Sequence, residues 1–234
     1  MTPTGPPSDE ERKRAAAMAA LELIEDGMRL GFGTGSTTTL LLEAIAARGL
    51  DVAGVPTSEA TEAHCRELGI GLLAPGEVER LDLAIDGADE LDRSLTATKG
   101  GGGALLREKV VATMAERFVL IATTDKLVER LADTFPLPVE VVPFAVGPVT
   151  RSLRGRGYEV ALRTAGEGPA VVTDNGNHVL DARLVGGLED PAAEDVWMNS
   201  VPGVVTCGLF VGLADLALLT DEEGTVLSLE PRVT

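Results

Sequence analysis

Short apolar segments alternate with helix-period runs through the first half of this chain, and that rhythm constrains the fold more than any other feature. The apolar segments are MRLGFG (28–33), DVAGVP (51–56), LDLAID (81–86) and FVLIAT (118–123). The first helical run opens at Ser8 with Glu11, a capping box, and is expected to reach about Asp26 and stop at Gly27. The second is TGSTTTLLLEAIAAR (34–48), closed by Gly49. EATEAHCREL (59–68) follows, capped by Thr57 or Ser58 and ended by Gly69, and then ALLREKVVATMAERF (104–118). Strands separated by such helices run parallel, because the helix returns the chain to the edge it left. The expected class is α/β, with a parallel sheet.

The rhythm changes near Pro136. LPVEVVPFA (137–145) reads as a strand, VTRSLRGR (149–156) as a short helix and YEVALRTA (158–165) as a strand. AVVTDNGNHVLDARL (170–184) reads as a hairpin turning at Asp174-Asn175-Gly176. PAAEDVWMNSV (191–201) is helical, and VVTCGLF (204–210) is a strand. Strand, helix, strands, helix, strand is the order of a split-βαβ, ferredoxin-like α+β unit. The expected division is a larger domain, residues 1–135 with 207–234, and an inserted small α+β domain, residues 136–206. TVLSLEP (225–231) is expected to return to the first sheet.

With 234 residues and 44% hydrophobic content, the chain can bury a sizeable core, and with only 3% aromatics that core is mainly Leu, Val, Ala and Ile. No apolar run reaches the ~18–20 residues that span a bilayer. The start, MTPTGPPSDEERKR, carries no apolar signal segment, so a cytoplasmic protein without a membrane partner is expected. Cys65 and Cys207 are too few for a disulfide framework and read as free thiols. His64 reads as a helix-surface residue and His178 as a strand position; neither has metal-ligand spacing, and no metal is expected. A net charge of −17 argues against a nucleic-acid partner. It also opposes anionic ligands at long range, so any anion must be held by a local nest. Lysine occurs only at Lys13, Lys99, Lys109 and Lys126. The acidic, lysine-poor balance fits a high-salt cytoplasm.

Within DGADELDRSLTATKGGGGALLREK (86–109), two carboxylates, Asp86 and Asp89, follow the apolar run, and Lys99 opens four consecutive glycines. Adjacent glycines carry a large backbone entropy cost. A linker is one explanation; a backbone that must approach an anion closely, with N–H groups turned inward, is the other. Asp86 comes directly off a strand, so it should be partly buried and need a partner, for which Lys99 is the candidate. Glu90 and Asp92 read as a solvated acidic turn.

Gly31-Phe32-Gly33-Thr34-Gly35-Ser36-Thr37 joins a strand to a helix and offers N–H groups at the helix start. Ser36 stands where a dinucleotide fingerprint needs its third glycine, and the nucleotide-loop ending G-K-[ST] is missing. Ser36 and Thr37 can cap the helix or add hydroxyl donors; a tight turn with a hydroxyl cap is the plain alternative. Thr57, Ser58 and Thr61 allow either a helix cap or a substrate contact. Glu108 shares a helix face with Leu105, Ala112 and Ala115, so it should point inward and be desolvated, which raises its pKa towards the range useful for proton transfer. A structural ion pair would also explain it. Arg107 and Lys109 point elsewhere. Lys126, after FVLIATTD, belongs to the same sheet edge or to the surface.

Two anion-cradling loops, an Asp–Lys pair and an inward Glu at one sheet edge suit proton abstraction beside a carbonyl in a phosphorylated sugar. The residues by themselves reach a sugar-phosphate isomerase or a relative.

GFGTGSTTT (31–39), PTSEAT (56–61), DLAIDGADELD (82–92), KGGGGALLREK (99–109), PLPVEVVPF (136–144) and TDNGN (173–177) resemble, in order and spacing, the motif series of type A ribose-5-phosphate isomerase. The resemblance runs from about Leu30 to Phe210. It implies a Rossmann-like domain with an inserted α+β domain, assembled as homodimers or homotetramers. It implies metal-independent, cofactor-free interconversion of D-ribose 5-phosphate and D-ribulose 5-phosphate through an enediolate. By that resemblance Glu108 is the base, Asp86 and Lys99 assist ring opening and stabilise the charged intermediate, and Asp89 supports them. Thr34, Gly35, Ser36 and Thr37, then Asp86, Gly87, Ala88 and Asp89, then Lys99, Gly100, Gly101 and Gly102, and Lys126 match its substrate-binding stretches. Leu106 stands where many members carry Thr or His, and Thr38 and Thr39 make the helix start more polar. Two other readings remain: a coenzyme A transferase with Glu108 as nucleophile, and a non-catalytic sugar-phosphate sensor.

Overall fold

The computed structural model describes residues 5–231; Met1–Thr4 of the polar start and the last three residues lie outside the described residues. Helix α1 (Asp9–Leu21) opens at Ser8, whose hydroxyl accepts from the Glu11 N–H at 3.2 Å while Glu11 accepts from the Ser8 N–H at 2.8 Å. It ends at Leu21, short of the expected Asp26. The N–H groups of Leu23 and Ile24 bond three residues back, to Ala20 and Leu21, and the tightened turn leaves Ile24 in the core.

The chain continues through β1 (Arg29–Phe32), α2 (Ser36–Arg48), β2 (Ala53–Pro56), α3 (Glu59–Leu68), β3 (Gly71–Leu72), β4 (Leu83–Asp86), β5 (Glu90–Leu91), β6 (Ala97–Thr98), α4 (Leu105–Met114) and β7 (Phe118–Thr123). Gly49 and Gly69 close α2 and α3 at φ +70° and +73°, where an L side chain would be strained. Next come β8 (Leu137–Val141), α5 (Val146–Gly155), β9 (Glu159–Leu162), β10 (His178–Arg183), α6 (Pro191–Ser200) and β11 (Val204–Cys207), then β12 (Leu209–Phe210), β13 (Leu216–Thr220) and β14 (Val226–Leu229).

The main sheet has the order β14-β13-β7-β4-β1-β2-β3. Every pairing is parallel except β14 on β13. The early strands add outward from β1 in one direction, and β4, β7 and β13 add in the other. That is the Rossmann-like order, with its ligand crevice at the switch between β1 and β4. On one face α1 and α2 pack Ala16, Ala17, Ala20, Leu41 and Ile45 against Leu30, Phe32, Ile85 and Val119. On the other, α4 packs Val111 and Ala112 with Val55, Ala84, Leu120 and Phe210. Burial of this kind contributes about 1.5–3 kcal/mol per large aliphatic side chain.

A second, antiparallel sheet has the order β11-β8-β10-β9, with α5 and α6 packed on it through Val149, Leu153 and Met198. By the chain order of its own strands this is fourth, first, third, second, the ferredoxin-like arrangement. A small antiparallel sheet, β12-β6-β5, completes the fold.

Three local expectations differ from the structure. VVTCGLF is two strands in two sheets, broken at Gly208, where a Cβ would lie 2.2 Å from the Lys99 carbonyl oxygen. The turn at Asp174–Gly176 forms, but its pairing is one bridge, Val172 to His178; the main partners of β10 are β8 and β9. Glu90 is not solvated: it is 2% exposed and accepts from the N–H groups of Ala132 and Phe135 at 2.8 Å. TVLSLEP does return to the main sheet, as β14, beside β13, a strand not foreseen from the sequence.

Candidate active site

β1 and β4 end at the crevice, and their following residues meet there. Gly33 is required by the approach: a Cβ would lie 2.2 Å from Asp86 Oδ1. That oxygen accepts from the N–H groups of Thr34 at 3.2 Å and Gly87 at 2.7 Å. Gly35, at φ +142°, opens α2, whose first N–H groups lack intrahelical partners and favour an anion. Ser36 and Thr37 do not cap the helix; instead the hydroxyls of Thr38 and Thr39 donate to the Gly35 carbonyl at 2.9 and 3.0 Å. Ser58 caps α3, accepting from the Thr61 N–H at 3.0 Å. Its hydroxyl, with those of Thr57 and Thr61, lies within 3.0 Å of Thr34 Oγ1. These three brace the β1 loop from behind.

Lys99 lies deepest. Its backbone N–H donates to the Gly208 carbonyl at 2.9 Å, and the Gly208 N–H donates to the Pro138 carbonyl at 2.7 Å, so the second sheet helps hold it. Its Nζ is 3.0 Å from Asp86 Oδ2 and 3.4 Å from Glu108 Oε1, and donates to the Gly87 carbonyl at 2.7 Å. Lys99 and Asp86 are 3% exposed and Glu108 5%. Glu108 is on the apolar face of α4, with Leu105, Val111 and Ala112 buried beside it, and its Oε2 has no hydrogen-bond partner among the described residues.

Burial pushes the Glu108 carboxyl up to about 8; Lys99 opposes the shift, and the charges of Asp86 and Asp89 add to it. Burial also raises Asp86 and Asp89 above the usual carboxylate range, against donation from Lys99 and the Gly101 N–H respectively. Burial works against the Lys99 charge, yet Asp86 and Glu108 carry its pKa above the ordinary value. Burial thus makes Glu108 hold its proton more tightly than an ordinary carboxyl, while Lys99 keeps its charge.

The glycine run forms the cradle wall. Gly100 and Gly103 have φ +104° and +85°, and the Gly101 N–H donates to Asp89 Oδ2 at 2.8 Å. Behind it, Arg163 Nη1 donates to the carbonyls of Gly100 at 2.8 Å and Gly101 at 2.9 Å, while its other nitrogens bind Asp181. Asp181 is on β10 and Arg163 directly follows β9, and nothing local in the sequence marks either.

The resulting cleft, ≈ 260 Å³, is lined by Thr34 to Thr38, Gly87 to Asp89, Lys99 to Gly102, Glu108 and Lys126. Asp86 stands behind Lys99. Lys13, from α1, also lines the cleft and pairs with Asp9 at 2.7 Å. Sequence reasoning counted Lys13 among the four lysines without assigning it, because only packing of α1 against the sheet brings it to this rim.

A carboxyl kept dry beside a fixed ammonium, in a cleft that opens onto the start of α2, is the equipment of an isomerase that moves protons on a phosphorylated substrate. The chain belongs to the ribose 5-phosphate isomerase A (phosphoriboisomerase A) family, whose sequence model matches residues 53–224. It is 46% identical to ribose-5-phosphate isomerase A of Rhodopseudomonas palustris (strain TIE-1) over 92% of this chain and 96% of that one. It is 48% identical to the Methylorubrum extorquens protein of the same name, over 93% and 95%. Among solved structures, a D-ribose-5-phosphate isomerase in complex with phospho-erythronic acid superimposes with TM-score 0.92 at 36% identity, covering 96% of this chain and all of that one. Ribose 5-phosphate isomerase A from Neisseria gonorrhoeae gives 0.91 at 35% identity, covering 98% of this chain and all of that one.

Proposed function

We propose that this protein interconverts D-ribose 5-phosphate and D-ribulose 5-phosphate, with Glu108 as the proton carrier. The carrying observation is the Glu108 carboxyl, 5% exposed, with an unpartnered Oε2 and Lys99 Nζ 3.4 Å from its Oε1. In the open-chain aldose, ionised Glu108 takes the proton from C2, the C2 electron pair moves into the C1–C2 bond, and the carbonyl oxygen becomes an oxyanion. The Lys99 ammonium offsets that charge. The O2 hydroxyl proton then passes to O1, C2=O forms as the C1–C2 double-bond pair moves to C1, and protonated Glu108 returns its proton to C1, giving the ketose. Asp86 and Lys99 serve the preceding ring opening, in which a proton leaves the O1 hydroxyl and one reaches the ring oxygen. Asp89 supports them by holding the Gly101 N–H.

Lys13, Lys126 and the start of α2 with Ser36 and Thr37 are assigned to the phosphate. Gripping the remote phosphate orients the reacting carbons. The solved relative in complex with phospho-erythronic acid supports a phosphorylated ligand. The lysine ammonium already lies between Asp86 and Glu108, where a catalytic cation would sit, which supports a metal-independent reaction. We further assign the protein to the cytoplasm, as a homodimer or homotetramer, with residues 136–206 as an inserted domain; light scattering tests the oligomer.

The test is an isomerase assay on D-ribose 5-phosphate with excess chelator, comparing wild type with Glu108→Gln. Turnover should survive chelation and fall ~10²–10⁴-fold in the variant, the contribution of a positioned base. Near-normal turnover in Glu108→Gln would remove the role.

A further inference from the structure

Two motifs have no part in that chemistry: the VEV run of β8 and the TDNGN turn. Glu140, on β8, is 0% exposed. Its Oε1 accepts three side-chain bonds, from Thr173 Oγ1 at 2.9 Å, Asn175 Nδ2 at 3.1 Å and Asn177 Nδ2 at 2.9 Å. A buried carboxylate needs such donors, and here all three come from one turn. The turn also closes on itself: the Thr173 N–H donates to the Asn177 carbonyl and the Gly176 N–H to the Thr173 carbonyl, each at 2.8 Å, with Gly176 at φ +80°.

Held in this way, the turn presents its outer atoms to the main sheet's helices. Asn175 Oδ1 accepts from Arg107 Nε at 3.0 Å, and the Asp174 carbonyl from Arg107 Nη2 at 2.9 Å. Asp174 Oδ2 accepts from the Glu59 N–H at 2.8 Å. Arg107 precedes Glu108 on α4. Glu59 begins α3, whose start braces Thr34 in the first anion loop.

We infer that the Glu140-anchored turn is a positioning clamp: through Arg107 and Glu59 it sets α4 against α3, and so sets Glu108 against the 34–37 loop. The clamp rests on the functional reading above for the reaction it serves. Arg107 suits the task, because its planar guanidinium meets two acceptors on adjacent turn residues and fixes direction as well as distance. Misplacing a reacting group by about 1 Å can cost on the order of 10²-fold in rate.

Arg107→Ala and Asp174→Ala in the full chain test this, since both side chains are about one-third exposed (33% and 31%) and the fold should survive. Two quantities are read: kcat with KM on D-ribose 5-phosphate, and the Glu108 carboxyl titration by carbon NMR, which needs no substrate. The charges acting on the Glu108 carboxyl are Lys99, Asp86 and Asp89. Removing a positive Arg107 would by charge alone raise the Glu108 midpoint; removing a negative Asp174 would lower it. Loosening α4 admits water and lowers it in both. The expected result is a lower midpoint in both variants, with kcat reduced roughly tenfold or more and KM changed less than about threefold. Glu140→Gln, which keeps Oε1 as acceptor, should retain wild-type values. An unchanged Glu108 titration in both variants overturns the clamp, whatever turnover does. A wild type inert on D-ribose 5-phosphate would overturn the functional reading instead, and the titration would still decide the clamp.

Discussion

Lys99 Nζ lies 3.4 Å from Glu108 Oε1, yet the carboxyl is pushed up to about 8, because removing it from water outweighs the attraction of the ammonium. Asp86, 3.0 Å from the same nitrogen, claims much of that charge and repels a second ionised carboxylate. Two carboxyls thus share one cation, and Glu108 is left poised near working pH.

The pH dependence of kcat/KM should carry this signature. The proposed base, Glu108, can act only when ionised, so kcat/KM should rise tenfold per pH unit and level off above a midpoint near 8. Initial rates on D-ribose 5-phosphate from pH 5 upward check it. A midpoint near the ordinary 4.5 would mean that water reaches the carboxyl.

Stability should move the other way. Between 4.5 and about 8 the folded protein keeps a proton on Glu108 that the unfolded chain releases, so this group lowers stability as pH rises across that window. Glu108→Gln stays neutral throughout and lacks that slope. Its Tm should exceed wild type at pH 8 and above, by roughly 2–4 °C per kcal/mol relieved, with the difference shrinking towards pH 4.5. Thermal melts across pH measure this; equal differences at all pH values would refute it.

Lys99→Met should damage both fold and turnover. It leaves Asp86 buried without its ammonium and removes the group proposed to meet the oxyanion. Breaking a buried pair from one side costs about 3–5 kcal/mol. Denaturant melts should show that loss, and kcat should fall with it; an unchanged kcat would point to a purely structural lysine.

Arg163→Ala should act on substrate grip. The carbonyls of Gly100 and Gly101 would lose bonds of 2.8 and 2.9 Å that hold the cradle's backbone in place. Each bond to a charged donor is worth about 1.5–3 kcal/mol, so KM should rise on the order of tenfold or more. Inhibition by inorganic phosphate should weaken less, since phosphate is assigned to the α2 start. An unchanged KM would leave Arg163 as a surface brace.

Much of the site could be read from local pattern. The helical period put Glu108 on the face of Leu105 and Ala112, and all are buried. Asp86 was expected to need Lys99, and they meet at 3.0 Å. The Ser36 and Thr37 cap did not form, because Gly35 at φ +142° starts the helix and its carbonyl draws in Thr38 and Thr39 instead. Glu90 is buried where the local pattern reads as a solvated turn, because its partners, Ala132 and Phe135, are over 40 residues away.

By itself the sequence determined the alternation of elements, the glycine loops at the strand ends and the inward acid, because each depends on side chains within a few residues and on backbone φ. Only the tertiary structure decided that Lys13 reaches the rim, that Arg163 holds the cradle, that Gly208 holds Lys99 and that β13 lies between β7 and β14. Those are contacts between distant parts of the chain, and their partners exist only once both sheets have packed and expelled water between them.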